Sequence, residues 1–393
     1  MTRETVLTHA RIVLPTEVLE GSVLIRDGRI ADISAGAAHP DVPAEDLEGD
    51  LLMPGVVELH TDHLEHHSEP RPGVTWDPVP AVLSHDAQMA AAGATTVLDA
   101  VRIGSEPDDG DRTPAAARRL TAAIAEASAA GFLRADHAIH VRCEVSAADC
   151  ADVFDTFAED PAVLLASLMD HTPGQRQYAD VDLFKRTYLG KRGIALGEAD
   201  TYVDRMLEQS AQHADRNRRR IAAVGRAHGI ALAAHDDATL EHVAESVDLG
   251  VQIAEFPTTL EAARAAREHG LDVVMGAPNI VRGGSQSGNV AASELLTHGL
   301  LGILSSDYVP ASPLQAVFRL VAEGSLTVVE GARLVSSNPA RAVGLEDRGE
   351  IAVGRRADLV RVQPRRTPAS ERDPEGTLIP VVRAVLRQGV RVS

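Results

Sequence analysis

Between residues 54 and 344 the chain alternates short apolar runs with alanine-rich helical ones, and this rhythm constrains the fold more than any other feature. The apolar runs are GVVELH, TTVLDAV, HAIHVRCEV, VLLASLMDH, IALAAH, QIAEFP, DVVMGAP and LLGILSSD. Helix-like segments such as AAARRLTAAIAEASAAG, LEAARAAREHG and PLQAVFRLVAEG separate them. A strand–helix unit repeated about eight times predicts an α/β chain closed into a (β/α)8 TIM-like barrel. An open doubly wound sheet is the alternative. No GxGxxG follows the first strand, which counts against a dinucleotide-binding version of it.

The two ends read differently. TVLTHARIVLP, SVLIRDGRIADIS and DLEGDLLMPG are strand-like, and the DG turn fits a hairpin. RGEIAVGRRADLVRV and VVRAVLRQGVRVS repeat the style at the other end. Residues 1–53 and 345–393 are therefore expected to pair as one small β-sandwich domain, with 54–344 as the barrel domain.

A chain of 393 residues that is 44% hydrophobic can bury a core of that size. Its net charge of -19 argues against nucleic acid or an anionic membrane as partner. A small anion remains open, because a basic pocket or a metal overrides the global field locally. Cys143 and Cys150 make neither a secreted disulfide framework nor a CxxC site. The N-terminal MTRETVLTHARIVLP does not read as a signal peptide, and no run is long enough to span a bilayer. The expected setting is the cytoplasm.

A barrel places its chemistry at the C-terminal ends of its strands. The first strand ends in His60-Thr61-Asp62, and residues two apart on a strand share a face. Further ends supply Glu144, Asp170 with His171, His235, and Asp307. Each has an ordinary alternative. A strand-end histidine is commonly hydrogen-bonded in a loop, Asp236 or Asp237 suits a helix N-cap, and Glu144 suits a salt bridge. His63, His66 and His67 read as solvated loop residues, and His242 as a structural helix residue. Taken together, the strand ends point to a metal centre. Imidazole mixed with carboxylate suits zinc first, then manganese, iron or nickel, rather than calcium. There are too many ligands for one open tetrahedral site, so two divalent ions are expected.

LLMPGVVELHTD, the late Asp307 and NPARAVGLEDRGEIAVGRRADLV resemble the amidohydrolase superfamily. That resemblance implies a barrel with a small β-sandwich built from both chain ends, and an assembly of two or more copies. Many members carry HxH on the first strand and a carboxylated lysine bridging two metals. Here the motif is HTD, and the only lysines, Lys185 and Lys191, fall in the loop after His171. Glu144 is then the candidate bridging carboxylate.

Nearly the whole chain is similar to one family within that superfamily. HTDHLEHHSEPRPGVTWDP, HVRCEV, SLMDHTPGQRQ, APNIVRGGSQSGN and LSSDYVPAS resemble the diphosphatases of the carbon–phosphorus lyase pathway, although that family has Asn where this chain has His63. The resemblance implies cleavage of a ribose phosphonate 5-triphosphate to the 5-phosphate and pyrophosphate. It implies His60, Asp62, Glu144, His171, His235 and Asp307 as metal ligands, with Asp307 also as general base. Arginine forks suit phosphate oxygens, which marks Arg71, Arg142, Arg176 and Arg282. Gly283, Gly284 and Ser285, in the loop after the seventh strand, are candidates to meet a phosphate. The competing readings are a cyclic-amide hydrolase or N-acetyl-sugar-phosphate deacetylase of the same superfamily, and a non-catalytic scaffold.

Overall fold

The structure is a computed structural model that describes residues 4–37, 43–71, 73–104, 113–174, 176, 181–185, 199–285, 288–369 and 376–393. Five strands lead in: β1 (Glu4–Val13), β2 (Val18–Arg26), β3 (Arg29–Ala35), β4 (Ala44–Asp46) and β5 (Leu51–Pro54). Next come β6 (Val56–Thr61), β7 (Ala94–Ile103), β8 (Asp136–Glu144) and β9 (Val163–Met169). Then follow β10 (Ala231–His235), β11 (Ile253–Glu255), β12 (Asp272–Gly276) and β13 (Ile303–Ser305). The chain ends on β14 (Leu359–Arg366), β15 (Leu378–Arg387) and β16 (Val390–Arg391).

Strands β6 to β13 form one parallel sheet in strict chain order. A doubly wound sheet reverses its order at a switch point; this one does not, and it curls round until its edges meet. The seam is polar. The backbone N–H of Asp307 donates to the carbonyl of His60 at 3.0 Å, and that of Asp62 to the carbonyl of Asp307 at 3.1 Å. Beneath them the buried Glu58 carboxylate accepts the N–H of His60 at 2.8 Å and of Ser306 at 2.7 Å. One side chain thus satisfies donors on both sides of the seam.

The barrel interior changes character with height. Leu98, Ala138, Leu165, Ala233, Ile253, Val274 and Ile303 fill an apolar layer, one from each of seven strands. Two residues further along, the same inward faces carry His140, Ser167, His235 and Glu255. The strand period of two carries these four strands from oily floor to polar mouth. That step explains why the sequence runs are apolar until their last residues.

The terminal strands form a second sheet, in the order β16-β15-β14-β5-β1-β2-β3, with β4 beside β1. Both chain ends therefore contribute, joined where β14 pairs antiparallel with β5. Alternation divides its side chains between two cores. In β5, Leu52 enters the terminal sheet's own core while Leu51 and Met53 join the barrel's outer core. Ala384 and Leu386 in β15 face the first, and Val385 the second. Among the described residues, no helix is long and apolar enough to cross a membrane.

Because the seam rests on Glu58, Glu58→Ala leaves two buried N–H donors without an acceptor. Each such loss costs about 1–3 kcal/mol. Urea unfolding of the variant should show a lowered midpoint with an unchanged slope.

Candidate active site

The mouth of the barrel is organised by a residue that the sequence reading passed over. Glu255, the last residue of β11, is 1% exposed. One of its oxygens lies 2.8 Å from Nδ1 of His60, and the other lies 2.7 Å from Nδ1 of His235 and 2.7 Å from Oγ of Ser167. Burial opposes its charge, but the surrounding histidines and hydrogen bonds win and hold the carboxyl well below the usual range. An ionised carboxylate only accepts, so both imidazoles carry their proton on Nδ1. Nε2 of each is then left as the ligating nitrogen.

His171 is prepared in the same way by a different carboxylate. Its Nδ1 lies 2.6 Å from Oε2 of Glu144, whose Oε1 accepts the His171 backbone N–H at 3.0 Å. Arg102 also reaches Glu144 at 3.2 Å. Burial opposes the charge on Glu144, but His171 and Arg102 bring its carboxyl down to about 2.

Two clusters result, each with its candidate ligand atoms within 4.8 Å of one another: His60 with Asp62 and Asp307, and His171 with His235 and Asp236. All six residues line one cavity of about 330 Å³. The environment calls for positive charge. Burial alone would lower His60, yet Glu255 overrides it and pushes the imidazole up to about 10. A second proton on His60 supplies charge that a cation at Nε2 would supply instead. Three imidazoles with carboxylates on Nδ1, facing further carboxylates, fit a divalent metal ion.

Backbone strain gathers at the same place. Asp236, Phe256 and Asp307 have φ of 62°, 55° and 53°. Non-glycine residues occupy that region rarely, and chiefly where the surroundings enforce it. In Asp307 the enforcing contacts are the seam bonds to His60 and Asp62.

The expected residues divide by position. His60, Asp62, His171, His235 and Asp307 come together, and His60 and Asp62 share a face at 3.5 Å. Glu144 does not line the cavity; its carboxylate is taken up by His171, Arg102 and Ser146, so it orients a histidine where a bridge between metals was expected. Asp170 does not line the cavity and is held by Arg218 at 2.5 Å. Arg142 does reach the cavity, donating to Asp62 at 2.5 Å, and Arg282 lines it too. Arg176 does not: its guanidinium is buried against Asp237 and Glu245. Arg71 is exposed in the loop beyond the short helix His63–Ser68, where its backbone bridges to Val74.

The glycine loop also differs from expectation. The N–H groups of Gly283 and Gly284 close the preceding helix onto the carbonyls of Ile280 and Asn279. Gly283, at φ 85°, is a left-handed helix cap, the conformation glycine adopts without cost. Gly284 and Ser285 still line the cavity. Lys191 lies outside the described residues, and Lys185 pairs with Asp200.

Asp236 and Asp237 do not take the N-cap role that is their ordinary alternative. Thr239 caps the helix Leu240–Asp248, which frees Asp236 for the cavity and Asp237 for Arg176. Asn279, Asn289 and Tyr308 are further lining residues absent from the sequence reading. The signal for Glu255 was available: it ends a strand of the barrel, as His235 does, but a single glutamate in QIAEFP resembles an ordinary strand terminus.

The α-D-ribose 1-methylphosphonate 5-triphosphate diphosphatase of Escherichia coli (strain K12) is 48% identical over 358 residues, covering 90% of this chain and 94% of that protein. An imidazolonepropionase of Ruegeria sp. (strain TM1040) is 26% identical over 382 residues, covering 87% and 86%. Among solved structures, 5-methylcytosine deaminase from Klebsiella pneumoniae superposes with a TM-score of 0.65 at 17% identity, covering 99% of this chain and 97% of its own. N-acetylglucosamine-6-phosphate deacetylase from Pasteurella multocida gives 0.58 at 13% identity, covering 99% of each chain. These two share the fold. Residues 194–393 match the amidohydrolase family, and with the 48% identical relative spanning the barrel, this chain belongs to that family.

Proposed function

We propose that this chain is a metal-dependent diphosphatase that hydrolyses α-D-ribose 1-methylphosphonate 5-triphosphate to the 5-phosphate and pyrophosphate. The observation that carries the reaction class is the pair of histidine–carboxylate clusters facing one cavity. The substrate is taken from the Escherichia coli relative. In this reading His60, Asp62 and Asp307 hold one divalent ion and His171, His235 and Asp236 the other. Zinc suits the donors first, with manganese, iron or nickel as alternatives. When bound, such ions neutralise phosphate charge and make a water more acidic.

The side chains supply the rest. Glu255 and Glu144 keep three imidazoles in one tautomer and one orientation. Burial lifts the Asp307 carboxyl above the usual range, with Asp62 adding to the rise and His60 opposing it. A carboxylate of raised basicity beside the cavity is suited to take the proton of the attacking water. Pyrophosphate is a good leaving group, so neutralising charge matters more than a strong general acid. Arg142 both anchors Asp62 and faces the cavity, and Arg282 offers a fork from the opposite rim. Asn279, Asn289 and Ser285 add polar lining near Arg282. The reading assigns catalysis to the barrel, 54–344, and the small domain to 1–53 with 345–393. It places the enzyme in the cytoplasm as a homo-oligomer, with Cys143 and Cys150 buried and unbridged.

³¹P NMR of the metal-loaded protein with the ribose phosphonate triphosphate should show pyrophosphate, and Asp307→Asn should slow its appearance about 10²–10⁴-fold. Release of inorganic phosphate alone, or turnover of a hydantoin instead, would reject the diphosphatase reading. Glu255→Gln keeps the shape but puts an amide against two Nδ1–H groups. Chelator competition should then report metal affinity reduced about 10–100-fold. Arg282→Ala removes a charge-assisted contact of about 1.5–3 kcal/mol. Steady-state kinetics should show KM raised about 10–100-fold, with kcat changed far less.

A further inference from the structure

A second group of histidines stands apart from the cavity. The short helix His63–Ser68 follows Asp62 directly. His63 and His67 sit four residues apart on it, and so lie on one face. That face meets His85 of the helix Pro78–Ala91. Ring centroids are 4.9 Å apart for His63 and His67, 6.0 Å for His67 and His85, and 6.1 Å for His63 and His85. One nitrogen from each ring lies within 4.8 Å of the other two.

The hydrogen bonds leave each of these rings a nitrogen with a lone pair. His85 is 0% exposed, and its Nε2 lies 2.8 Å from Oδ1 of Asp99. The other Asp99 oxygen lies 2.7 Å from Nδ1 of His137, whose Nε2 faces Asp86 at 3.3 Å. With its proton directed at Asp99, His85 keeps Nδ1 as an acceptor, and this buried atom has no partner among the described residues. Nδ1 of His63 is likewise buried and without a partner among them. Nε2 of His67 is 3.2 Å from the amide oxygen of Gln88, which leaves its Nδ1 as the acceptor. A buried acceptor without a donor is costly. A carboxylate behind the distal nitrogen of a histidine is the usual support of a metal ligand.

We propose that His63, His67 and His85 form a divalent-metal site of their own, separate from the cavity and taking a zinc-class cation. Three neutral imidazoles with a fourth position left to water suit zinc, cobalt or nickel and disfavour calcium and magnesium. The ion cross-links the segment that follows Asp62 to the helix Pro78–Ala91. Its role is to hold that rim of the cavity in place, and none of its ligands lines the cavity.

The test is metal content. The full-length protein, loaded with zinc and dialysed, is compared with the His63→Gln/His67→Gln double variant and with His66→Gln by elemental analysis. Circular dichroism confirms that each is folded. The wild type and His66→Gln should hold one equivalent more per chain than the double variant, whatever the cavity itself holds. Cobalt-loaded wild type should show a visible ligand-field band that the double variant lacks. Equal zinc content and equal cobalt spectra would overturn the proposal, as would an equal loss in His66→Gln. Because the readout is a difference between variants, it stands apart from success or failure of the diphosphatase assay.

Discussion

The mouth of this barrel depends on one buried carboxylate. Glu255 holds His60 and His235 at once, each through Nδ1. These histidines belong to different clusters, so a single glutamate sets the separation and tautomer of both. Burying a charge in a protein interior costs several kcal/mol and is recovered only when every lone pair is used. In Glu255 both oxygens are bonded, one by His60 and the other by His235 and Ser167, while His140 stands behind Ser167 at 2.5 Å. The arrangement stabilises a precise geometry more than it stabilises the fold.

Charge in the cavity follows from the same layout. Asp62, Asp236 and Asp307 converge on a chain that already carries -19. A polyphosphate would be repelled from such a surface without cations. Arg142 and Arg282 supply some of that charge, and the proposed metals supply the rest. Arg142 is half-buried beside Asp62, and its guanidinium, with His60, holds the Asp62 carboxyl well below its usual range despite the burial that opposes it. Asp62 thus stays an anion able to ligate.

The terminal sheet matters because the barrel's first strand leaves it directly. Only Gly55 lies between β5 and β6, and a Cβ there would sit 2.2 Å from Oγ1 of Thr95. The close approach explains the glycine. It fixes the start of β6, and from that start the register brings His60 and Asp62 to the mouth. Pairing of β5 with β14 then ties the far end of the chain to the same point.

Much of this was legible in the residues alone. Apolar runs ending in His60, His171, His235 and Asp307 specify a barrel with chemistry at one rim, because strand periodicity and strand-end placement are local properties. Partner choice is not local. Glu255 is 195 positions from His60, and nothing in QIAEFP distinguishes a hub from a strand terminus. Glu144 carries the carboxylate expected, but only the packing of β8 beside β9 turns it onto His171. Arg176 is an arginine in a promising loop, yet a buried Asp237 claims it. Histidines 63 and 67 read as loop residues until a helix placed them against His85. The sequence by itself determined which element each group ends and therefore which rim it occupies. The tertiary structure alone decided which groups face the cavity and which are spent on one another, because that choice rests on contacts between strands and helices far apart in the chain.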